Sequence, residues 1–393
     1  MKNYQKTKWA CYFGFVTQAI TANFVPMLFL CFHSTYEIPL GTVALIPTCF
    51  YFTQLLVDLF CVKFVDRIGY RICVVASEAL SALGLLTIAF LPEVLPKPFA
   101  GILIGVILYA IGSGLIEVLC SPIVEACPFP GKEATMSLLH SFYCWGSVGT
   151  IFISTAFFAV FGLENWKWMA VLWALIPAAN IYGFATCPLV PIVEDGKGMG
   201  LRQLFAKPVF WCSVVLMICA GASEISMAQW ASAYAESALG LSKALGDLVG
   251  PCLFAVFMGL SRVIFGKFGE RMNLMKFMTG SGLLCVACYV LASVFSNPML
   301  GLIGCVVCGF SVAIMWPGTI SISSQKFPRG GTAMFAILAM AGDLGGSLGP
   351  SLVGRVSQLA GDDLHYGIAA AMIFPLVLLL MLFLLQRAKI QNR

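Results

Sequence analysis

The sequence is short of charged residues. Only 10% of its 393 residues are Asp, Glu, Lys or Arg, whereas 60% are hydrophobic, and ordinary soluble domains carry about a quarter charged residues. A chain of this composition has too few polar side chains to cover a surface that faces water. We therefore predict an all-α integral membrane protein, and we interpret the net charge of +5 as a feature of membrane topology, not of a nucleic-acid partner.

Motifs for catalysis and for ATP use are also missing. The sequence contains no H-E-x-x-H zinc motif and no Walker phosphate loop, so we expect no metal-dependent hydrolysis, no ATP-driven activity and no cofactor. A cleavable signal peptide with an A-x-A site is not expected either, because the basic segment 1–8 runs directly into an apolar one.

Disulfides and a zinc site are two further features that we do not expect. The sixteen cysteines are scattered through apolar segments, which favours small buried side chains over a disulfide framework. Cys285-x-x-Cys288 and Cys305-x-x-Cys308 have the spacing of a four-cysteine zinc site. Both pairs fall inside predicted membrane helices, whereas such sites lie on turns of soluble modules. We therefore predict helix packing and no metal.

Apolar segments long enough to cross a bilayer, about 20 residues each, recur along the whole chain. The runs are continuous and do not alternate, which predicts helices and not barrel strands. Twelve spans are predicted. They cover residues 9–33, 41–62, 72–91, 99–126, 135–161, 168–190, 209–235, 245–266, 276–295, 299–324, 332–358 and 366–386.

The distribution of positive charge predicts the orientation of these spans. Of the 23 Lys and Arg residues, all but four fall on the side that holds both termini, and the positive-inside rule makes that side cytoplasmic. The four exceptions are Lys97, Lys167, Lys243 and Arg355. The longest polar break, 191–208, predicts a cytoplasmic linker between a bundle at 1–190 and another at 209–393.

The two predicted bundles repeat each other in sequence. "FPGKEATM" (129–136) recurs as "FPRGGTAM" (327–334), "GSVG" (146–149) as "GSLG" (346–349), and "KFVDRIG" (63–69) as "KFGERMN" (267–273). The offsets are all about 200 residues and the order is kept. Six spans in each half make the repeats parallel, related by an axis along the membrane normal.

This arrangement, with a charged loop after spans 2 and 8, resembles the major facilitator superfamily, whose loop signature reads G-x-x-x-D-R-x-G-R/K-R/K. The first copy here carries Asp66, Arg67, Gly69 and Arg71, with Val62 where a glycine is expected, and the second is more degenerate. The resemblance implies a cytoplasmic charge clamp that gates the transporter, although plain topology-setting charge is the alternative. The predicted gating residues are Asp58, Asp66, Arg67, Arg71, Arg262, Glu270 and Arg271.

Within that superfamily, three stretches are similar to the fucose-permease-like branch of sugar:proton symporters. "EVLCSP" (117–122) is similar to its E-T-x-x-N-P on the fourth helix, and "LLHSFYCWG" (138–146) to the start of its fifth. "MWPG" and "AGDLGGSLGP" resemble the tenth and eleventh spans of bacterial relatives. The branch carries an aspartate on its first helix, four residues before a proline, where this chain has Ala22. That departure weakens the case for fucose itself and for a mechanism with two carboxylates.

Glu117 is the strongest candidate for a functional residue. It lies in the middle of the apolar segment 99–126, and a carboxylate at the centre of a membrane helix is costly without a partner or a watery cavity. Desolvation favours proton binding by such a group, so we expect it to bind solute and proton. The alternative is a protonated structural acid that bonds a neighbouring helix.

Polar groups on spans 1, 4, 7 and 10, which line the cavity in the resembling family, suit a sugar site. Amides and carboxylates bond hydroxyls, and indole rings stack on the C–H face of a pyranose. Interhelical hydrogen bonds and interfacial anchoring are the alternatives. The predicted solute-binding residues, with Gln54 of span 2, are Gln18, Asn23, Gln54, Glu117, Glu224, Gln229, Trp230 and Trp316.

Two further residues are predicted to join Glu117 in proton coupling. Asp343 lies deep in span 11 among glycines. Besides Glu117, the acids that we place within the hydrocarbon core of the membrane are Glu224 and Asp343. His140, near the cytoplasmic end of span 5, is expected to bond Glu117 or Glu125 and to titrate near neutral pH. A structural acid and a simple helix contact are the respective alternatives.

The sequence thus predicts a monomeric secondary transporter of the bacterial cytoplasmic (inner) membrane. It would move a small polar solute, best matched by a monosaccharide, by alternating access with proton symport. Two alternatives stay open: a proton-coupled exporter of amphipathic compounds or drugs, and a receptor or intramembrane enzyme on the same fold.

Overall fold

The computed structural model describes residues 4–43, 45–192, 198–240, 242–361 and 363–387. Eleven helical segments within these ranges are long and apolar enough to cross a membrane, and a twelfth span stands before them, so the predicted multi-pass helical fold is confirmed. We number the spans α1 to α12. Their bounds are Gln5–Asn23 (α1), Leu45–Ile68 (α2), Tyr70–Val94 (α3), Pro98–Ala126 (α4), Lys132–Phe161 (α5), Trp166–Thr186 (α6), Pro208–Leu239 (α7), Lys243–Phe268 (α8), Leu274–Val294 (α9), Pro298–Val312 with Met315–Lys326 (α10), Gly331–Leu359 (α11), and Leu364–Ala371 with Ile373–Arg387 (α12).

Three spans, namely the first span, α10 and α12, are interrupted close to a proline. The first span passes from α1 through a 3₁₀ turn, Val25–Leu28, into a short helix, Phe29–Tyr36. Pro26 lies in this turn; it cannot donate a backbone hydrogen bond, and it disfavours an α-helical residue before it. In α10 the break falls between Val312 and Met315, four residues before Pro317. The missing amide of Pro317 leaves the Ala313 carbonyl without its helical donor.

The chain forms two compact units. One contains Met1–Pro128 and Trp145–Gly196, and the other contains Phe129–Cys144 and Lys197–Arg393. The first part of α5 therefore groups with the second unit. The division into bundles at 191–208 stays a prediction.

The helices of each unit pair in the same order. In the first unit α4 packs against α1, α2 and α3, while α6 packs against α1 and α3. In the second unit α10 packs against α7, α8 and α9, while α12 packs against α7 and α9. The internal repeat seen in the sequence is thus a repeat of helix packing.

Glycines with positive φ mark the starts of repeated helices. Gly131 precedes α5 and Gly331 begins α11, and each has φ of +60°. Gly69, in the loop signature between α2 and α3, has φ of +97°. Only glycine adopts these angles without a steric penalty, so these positions of the repeated motifs are fixed by backbone conformation.

Candidate functional site

Glu117 lies at the meeting point of three helices of the first unit. Its Oε2 accepts a hydrogen bond of 2.9 Å from Gln18 Nε2 on α1 and one of 3.3 Å from Gln54 Nε2 on α2. Gln54 Nε2 also donates to Ser113 Oγ on α4, at 3.2 Å. Gln18 and Gln54 are buried, whereas Glu117 is half-buried. The structure therefore brings three of the predicted solute-binding residues together.

Small residues before Glu117 let α4 approach its neighbours. A Cβ atom at Gly112 would lie 2.2 Å from Ser81 Oγ and 2.4 Å from the Ser77 carbonyl oxygen of α3. A Cβ at Gly114 would lie 3.1 Å from the Val57 side chain of α2. The close packing of α4 against α2 and α3 fixes where the Glu117 carboxylate stands.

Asn23 lies at the end of α1, five residues beyond Gln18. Its Nδ2 donates to the Ala19 carbonyl at 2.8 Å and to Ser147 Oγ on α5 at 3.1 Å. The amide is half-buried. Among the described residues it does not bond the Glu117 cluster, and its role in solute binding stays a prediction.

A second carboxyl group of the first unit, Glu78 on α3, escaped the sequence analysis. It is 0% exposed, and it accepts hydrogen bonds from Thr17 Oγ1 on α1 at 2.9 Å and from Asn180 Nδ2 on α6 at 2.8 Å. Glu78 falls inside the predicted span 72–91, so the hydropathy argument that singled out Glu117 applies to it as well. The set of deep acids predicted from the sequence was therefore incomplete.

Glu224 on α7 faces a buried arginine in the second unit. Its Oε2 lies 3.8 Å from Arg262 Nη2 on α8, and their side chains are 15% and 4% exposed. Arg262 Nε donates to the Ala313 carbonyl oxygen at 2.8 Å, the acceptor that Pro317 leaves without a helical donor. The guanidinium group therefore joins the predicted site on α7 to the break in α10.

The same guanidinium group also holds the first part of α5. Arg262 Nη1 donates to the His140 carbonyl oxygen at 3.0 Å and to Cys144 Sγ at 3.0 Å, while Ser137 Oγ donates to the Arg262 carbonyl at 2.9 Å. His140 itself is buried. The arginine predicted to take part in gating thus connects α5, α7, α8 and α10, while a proton-coupling role for the His140 ring stays a prediction.

Trp316 and Asp343 are neighbours in the second unit. A Cβ at Gly342 would lie 2.1 Å from Trp316 Cη2, so the indole ring covers the glycine that precedes Asp343. Both Trp316 and Asp343 are half-buried. Asp343 Oδ2 is a buried atom without a hydrogen-bond partner among the described residues. The region therefore combines an aromatic face with a buried acceptor that no donor of the described residues occupies.

Gln229 and Trp230, further along α7, lie differently from Glu224. Gln229 is exposed, whereas Trp230 is half-buried, and its buried Nε1 has no hydrogen-bond partner among the described residues. Five residues turn a helix by about 140° beyond a full turn, so Gln229 stands on another side of α7 than Glu224. Their part in solute binding stays a prediction.

In the first loop signature the observed contacts involve Arg71. Its guanidinium group donates to the carbonyl oxygens of Phe184, Ala185 and Cys187, at 2.7 to 2.8 Å, where α6 ends. A cation at these carbonyls satisfies the open acceptors of the helix and complements its dipole. Asp66 is exposed and accepts from Tyr70 Oη at 3.1 Å.

The other predicted gating residues are distributed over both units. Asp58 is buried on α2, and Arg67 and Arg271 are exposed. The Glu270 side chain lies against Gly131, where a Cβ would come within 2.5 Å of Glu270 Oε1. The positions of these residues do not test the predicted charge clamp, which stays a prediction.

The paired cysteines pack within the second unit. Cys285 Sγ lies 3.8 Å from Cys308 Sγ, and Cys305 Sγ lies 3.3 Å from Met227 Sδ. Among the described residues no group of three or more His, Cys, Asp or Glu side chains is arranged to hold a metal ion. The contacts are those of helix packing.

Residues 345–349 match the letters of the G-x-S-x-G motif of serine hydrolases, a match that the sequence analysis passed over. In those enzymes the serine stands on a sharp turn between a strand and a helix. Here the segment lies within α11, and Ser347 Oγ donates to the Asp343 carbonyl at 3.1 Å. The setting is that of a helix residue and not of a nucleophile.

A family model described as Major Facilitator Superfamily matches residues 10–350. No curated protein sequence matches the chain significantly. The fold is similar to that of the Escherichia coli fucose:proton symporter FucP, with a TM-score of 0.82 and 16% identity over 98% of this chain and 100% of that chain.

Two further solved structures share the fold. The proton:xylose symporter XylE, bound to 6-bromo-6-deoxy-D-glucose, gives a TM-score of 0.80 at 13% identity, over 98% of this chain and 95% of that chain. The human organic anion transporter MFSD10 gives 0.74 at 16% identity, over 98% of this chain and 100% of that chain. At such identities the likeness establishes the fold alone.

Proposed function

The chain belongs to the Major Facilitator Superfamily of membrane transporters, and we propose that this member carries a monosaccharide across the bacterial cytoplasmic membrane in symport with a proton. We also propose that it acts as a monomer. We further propose that both termini lie in the cytoplasm, because nineteen of its 23 Lys and Arg residues fall on the side of the termini.

The Glu117 cluster carries this proposal. A half-buried carboxylate with two amides, Gln18 and Gln54, offers several donors and acceptors within one small region of α1, α2 and α4. Sugar hydroxyl groups both donate and accept, and they bond such groups bidentately. The chemistry of the cluster therefore fits a neutral polyhydroxylated solute.

The same cluster supports a proton as the coupling ion. Glu117 accepts hydrogen bonds from the amides of Gln18 and Gln54, and an amide oxygen or a protonated carboxyl group at this position can accept the same bonds. A carboxylate within a membrane span costs a few kcal/mol, and binding a proton lowers that cost. Glu117 can therefore bind a proton in one part of the transport cycle and release it in another.

The second unit offers groups of a matching kind. Glu224 is held near Arg262, and Trp316 presents a half-buried indole ring beside Asp343. An indole ring stacks on the C–H face of a pyranose, and the buried Asp343 Oδ2 is able to accept a hydroxyl hydrogen bond. The sugar:proton symporters that share the fold support the same solute class.

The proposal is tested with the purified full-length protein in liposomes. An inward proton gradient should drive uptake of at least one of a set of labelled monosaccharides. Glu117→Gln should lower this accumulation and leave exchange of labelled for unlabelled sugar measurable, because the amide keeps the hydrogen bonds but cannot exchange a proton. Glu164→Gln, at an exposed position outside the spans, is the matched control.

Two results would refute the proposal. If proton-driven uptake survives Glu117→Gln unchanged, Glu117 does not couple transport to protons. If no monosaccharide raises the apparent Tm or is transported, the solute class is wrong.

The second candidate is a proton-coupled exporter of amphipathic compounds. Two observations favour it: the partly buried Trp230 and Trp316 of the second unit, and the fold shared with an organic anion transporter. A thermal-shift screen separates the two candidates, because lipophilic ions would raise the Tm of an exporter and sugars would not.

A further inference from the structure

Glu78 on α3 belongs to no part of the proposed solute site, yet it is fully buried in the membrane region of the first unit. Its hydrogen-bond donors are one hydroxyl group, of Thr17, and one amide, of Asn180. Both donors are neutral. An acid is an expensive way to join three helices when an amide or a hydroxyl group would suffice, so its presence calls for a function that uses its proton.

Asn180 gives the Oε1 oxygen of Glu78 a permanent donor. Asn180 Nδ2 donates to the Ala10 carbonyl oxygen at 3.0 Å and to Glu78 Oε1 at 2.8 Å. A backbone carbonyl can only accept, so the NH₂ end of the amide must face Ala10 and Glu78. Both amide hydrogens are thereby used, and Oε1 remains an acceptor whether or not the acid is protonated.

Thr17 gives the Oε2 oxygen a partner that can reverse its role. The Thr17 hydroxyl donates to Oε2 at 2.9 Å, and a hydroxyl group is able to accept as well as to donate. When Glu78 takes up a proton, an Oε2–H bond forms and donates to Thr17 Oγ1 after the hydroxyl turns. When the proton returns to water, the hydroxyl donates again. The contact accommodates both protonation states without moving a heavy atom.

Glu78 and Glu117 meet the same turn of α1. Thr17 bonds Glu78 and the next residue, Gln18, bonds Glu117, so consecutive side chains link α1 to one acid on α3 and to another on α4. This turn precedes the interruption of the first span at Val25–Leu28. A change at either carboxyl group therefore acts on one turn of one helix, close to its break.

Among the described residues, the hydrogen-bond partners of Glu78 carry no charge that would fix its protonation state. Where α1 packs against α4, the Cys120 Sγ atom would lie 3.1 Å from a Cβ at Gly14, and Glu78 Oε1 would lie 3.5 Å from it. On α6 the facing group is the neutral Asn180. Arg71, two turns away on α3, is bound to the carbonyl oxygens at the end of α6. Thiols and neutral groups thus surround the acid.

We propose that Glu78 is a second proton-binding site of the transporter, which acts with Glu117 through Thr17 and Gln18 of α1. The proposal rests on proton symport as proposed above and adds a second coupled proton. Because Glu78 is buried here, it exchanges its proton in another conformation of α1. Glu78 would supply the second acid of a mechanism with two carboxylates, which the presence of Ala22 in place of an aspartate had put in doubt.

The stoichiometry of transport tests the proposal. With the membrane potential clamped at zero, each coupled proton multiplies the equilibrium accumulation of solute by about tenfold for each unit of pH gradient. The wild type should therefore reach about 100-fold across a gradient of one unit, and Glu78→Gln about tenfold. The glutamine should fold, because its oxygen can accept from Asn180 and its amide can donate to Thr17, as the protonated acid would.

The possible outcomes separate the two proposals. No accumulation by the wild type refutes proton symport altogether. Accumulation of about tenfold by the wild type supports symport and overturns the role of Glu78, as does equal accumulation by the wild type and Glu78→Gln.

An infrared measurement gives an independent readout. The wild type should show protonated carboxyl bands that respond to pH, and Glu78→Gln should lack the band that Glu78 contributes. Thr17→Val should shift the pH midpoint of this band. Thr21→Val should not, because the buried Thr21 hydroxyl donates to the Gln18 carbonyl of its own helix, at 2.9 Å, and bonds no acid among the described residues. Identical midpoints in both threonine variants and the wild type would overturn the proposed role of Thr17, and a band unchanged by Glu78→Gln would overturn that of Glu78.

Discussion

Gly345→Ala should disturb both the stability and the transport activity of the second unit. α7 and α11 pack backbone to backbone there, and a Cβ at Gly345 would lie 2.0 Å from the Ile218 carbonyl oxygen. Ordinary contact begins at 3.4 Å, so the helices must move apart by about 1.4 Å. Overpacking of this kind costs about 1–3 kcal/mol, because neither backbone can yield locally.

The displacement should reach the candidate site. Glu224 lies six residues after Ile218 on α7, and Asp343 lies two residues before Gly345 on α11. Misplacement of functional groups by about 1 Å can reduce activity by about 100-fold. We therefore expect a lower apparent Tm in detergent, together with slower solute exchange in liposomes.

Gly354→Ala is the matched control for this prediction. Gly354 lies on the same helix, and a Cβ there would meet no atom within 4 Å. Alanine is favoured over glycine within helices by up to about 1 kcal/mol, so the control should be as stable as the wild type or more stable. If Gly345→Ala matches Gly354→Ala in both assays, the close approach of α7 and α11 does not support the site.

Two arginines provide the remaining tests. Arg262→Met leaves the Glu224 carboxylate without its cation and the Ala313 carbonyl without its donor, so we expect the free energy of unfolding to fall by about 3–5 kcal/mol. Adding Glu224→Gln should restore part of this loss in thermal unfolding, and no recovery would show that the two side chains are not coupled. Arg71→Gln should expose the last carbonyls of α6 and speed hydrogen exchange at its C-terminal end, whereas the exposed Arg67→Gln should not; equal exchange in both would contradict the capping role.

The course of the helices could be predicted from the sequence because hydropathy and helix length are local properties. The predicted span 99–126 and the observed Pro98–Ala126 differ by one residue. The interruption after Ala313 was not predicted, since a proline within a membrane helix is often tolerated without a break. Arg262, which donates a hydrogen bond to the Ala313 carbonyl oxygen, lies on another helix and far from Ala313 in the sequence. No local pattern reveals such a pairing.

The candidate site could be predicted in part. Gln18, Gln54 and Glu117 were selected as polar residues in apolar spans, and the structure brings them together because α1, α2 and α4 pack at this point. Glu78 satisfies the same criterion, but its partners on α1 and α6 lie 61 and 102 residues away in the sequence. Its importance depends on long-range packing.

The acids of the two units differ in what protonation would cost. Among the described residues, Glu78 accepts hydrogen bonds from a hydroxyl group and a neutral amide, so a proton on Glu78 leaves no cation of those residues without its counter-charge. Glu224 stands 3.8 Å from the buried guanidinium of Arg262, and neutralising it would leave that cation without its counter-charge, which is strongly unfavourable within a protein. We therefore expect a proton to bind Glu78 at lower cost than Glu224, while the charge pair of the second unit is suited to hold a fixed arrangement around the break in α10.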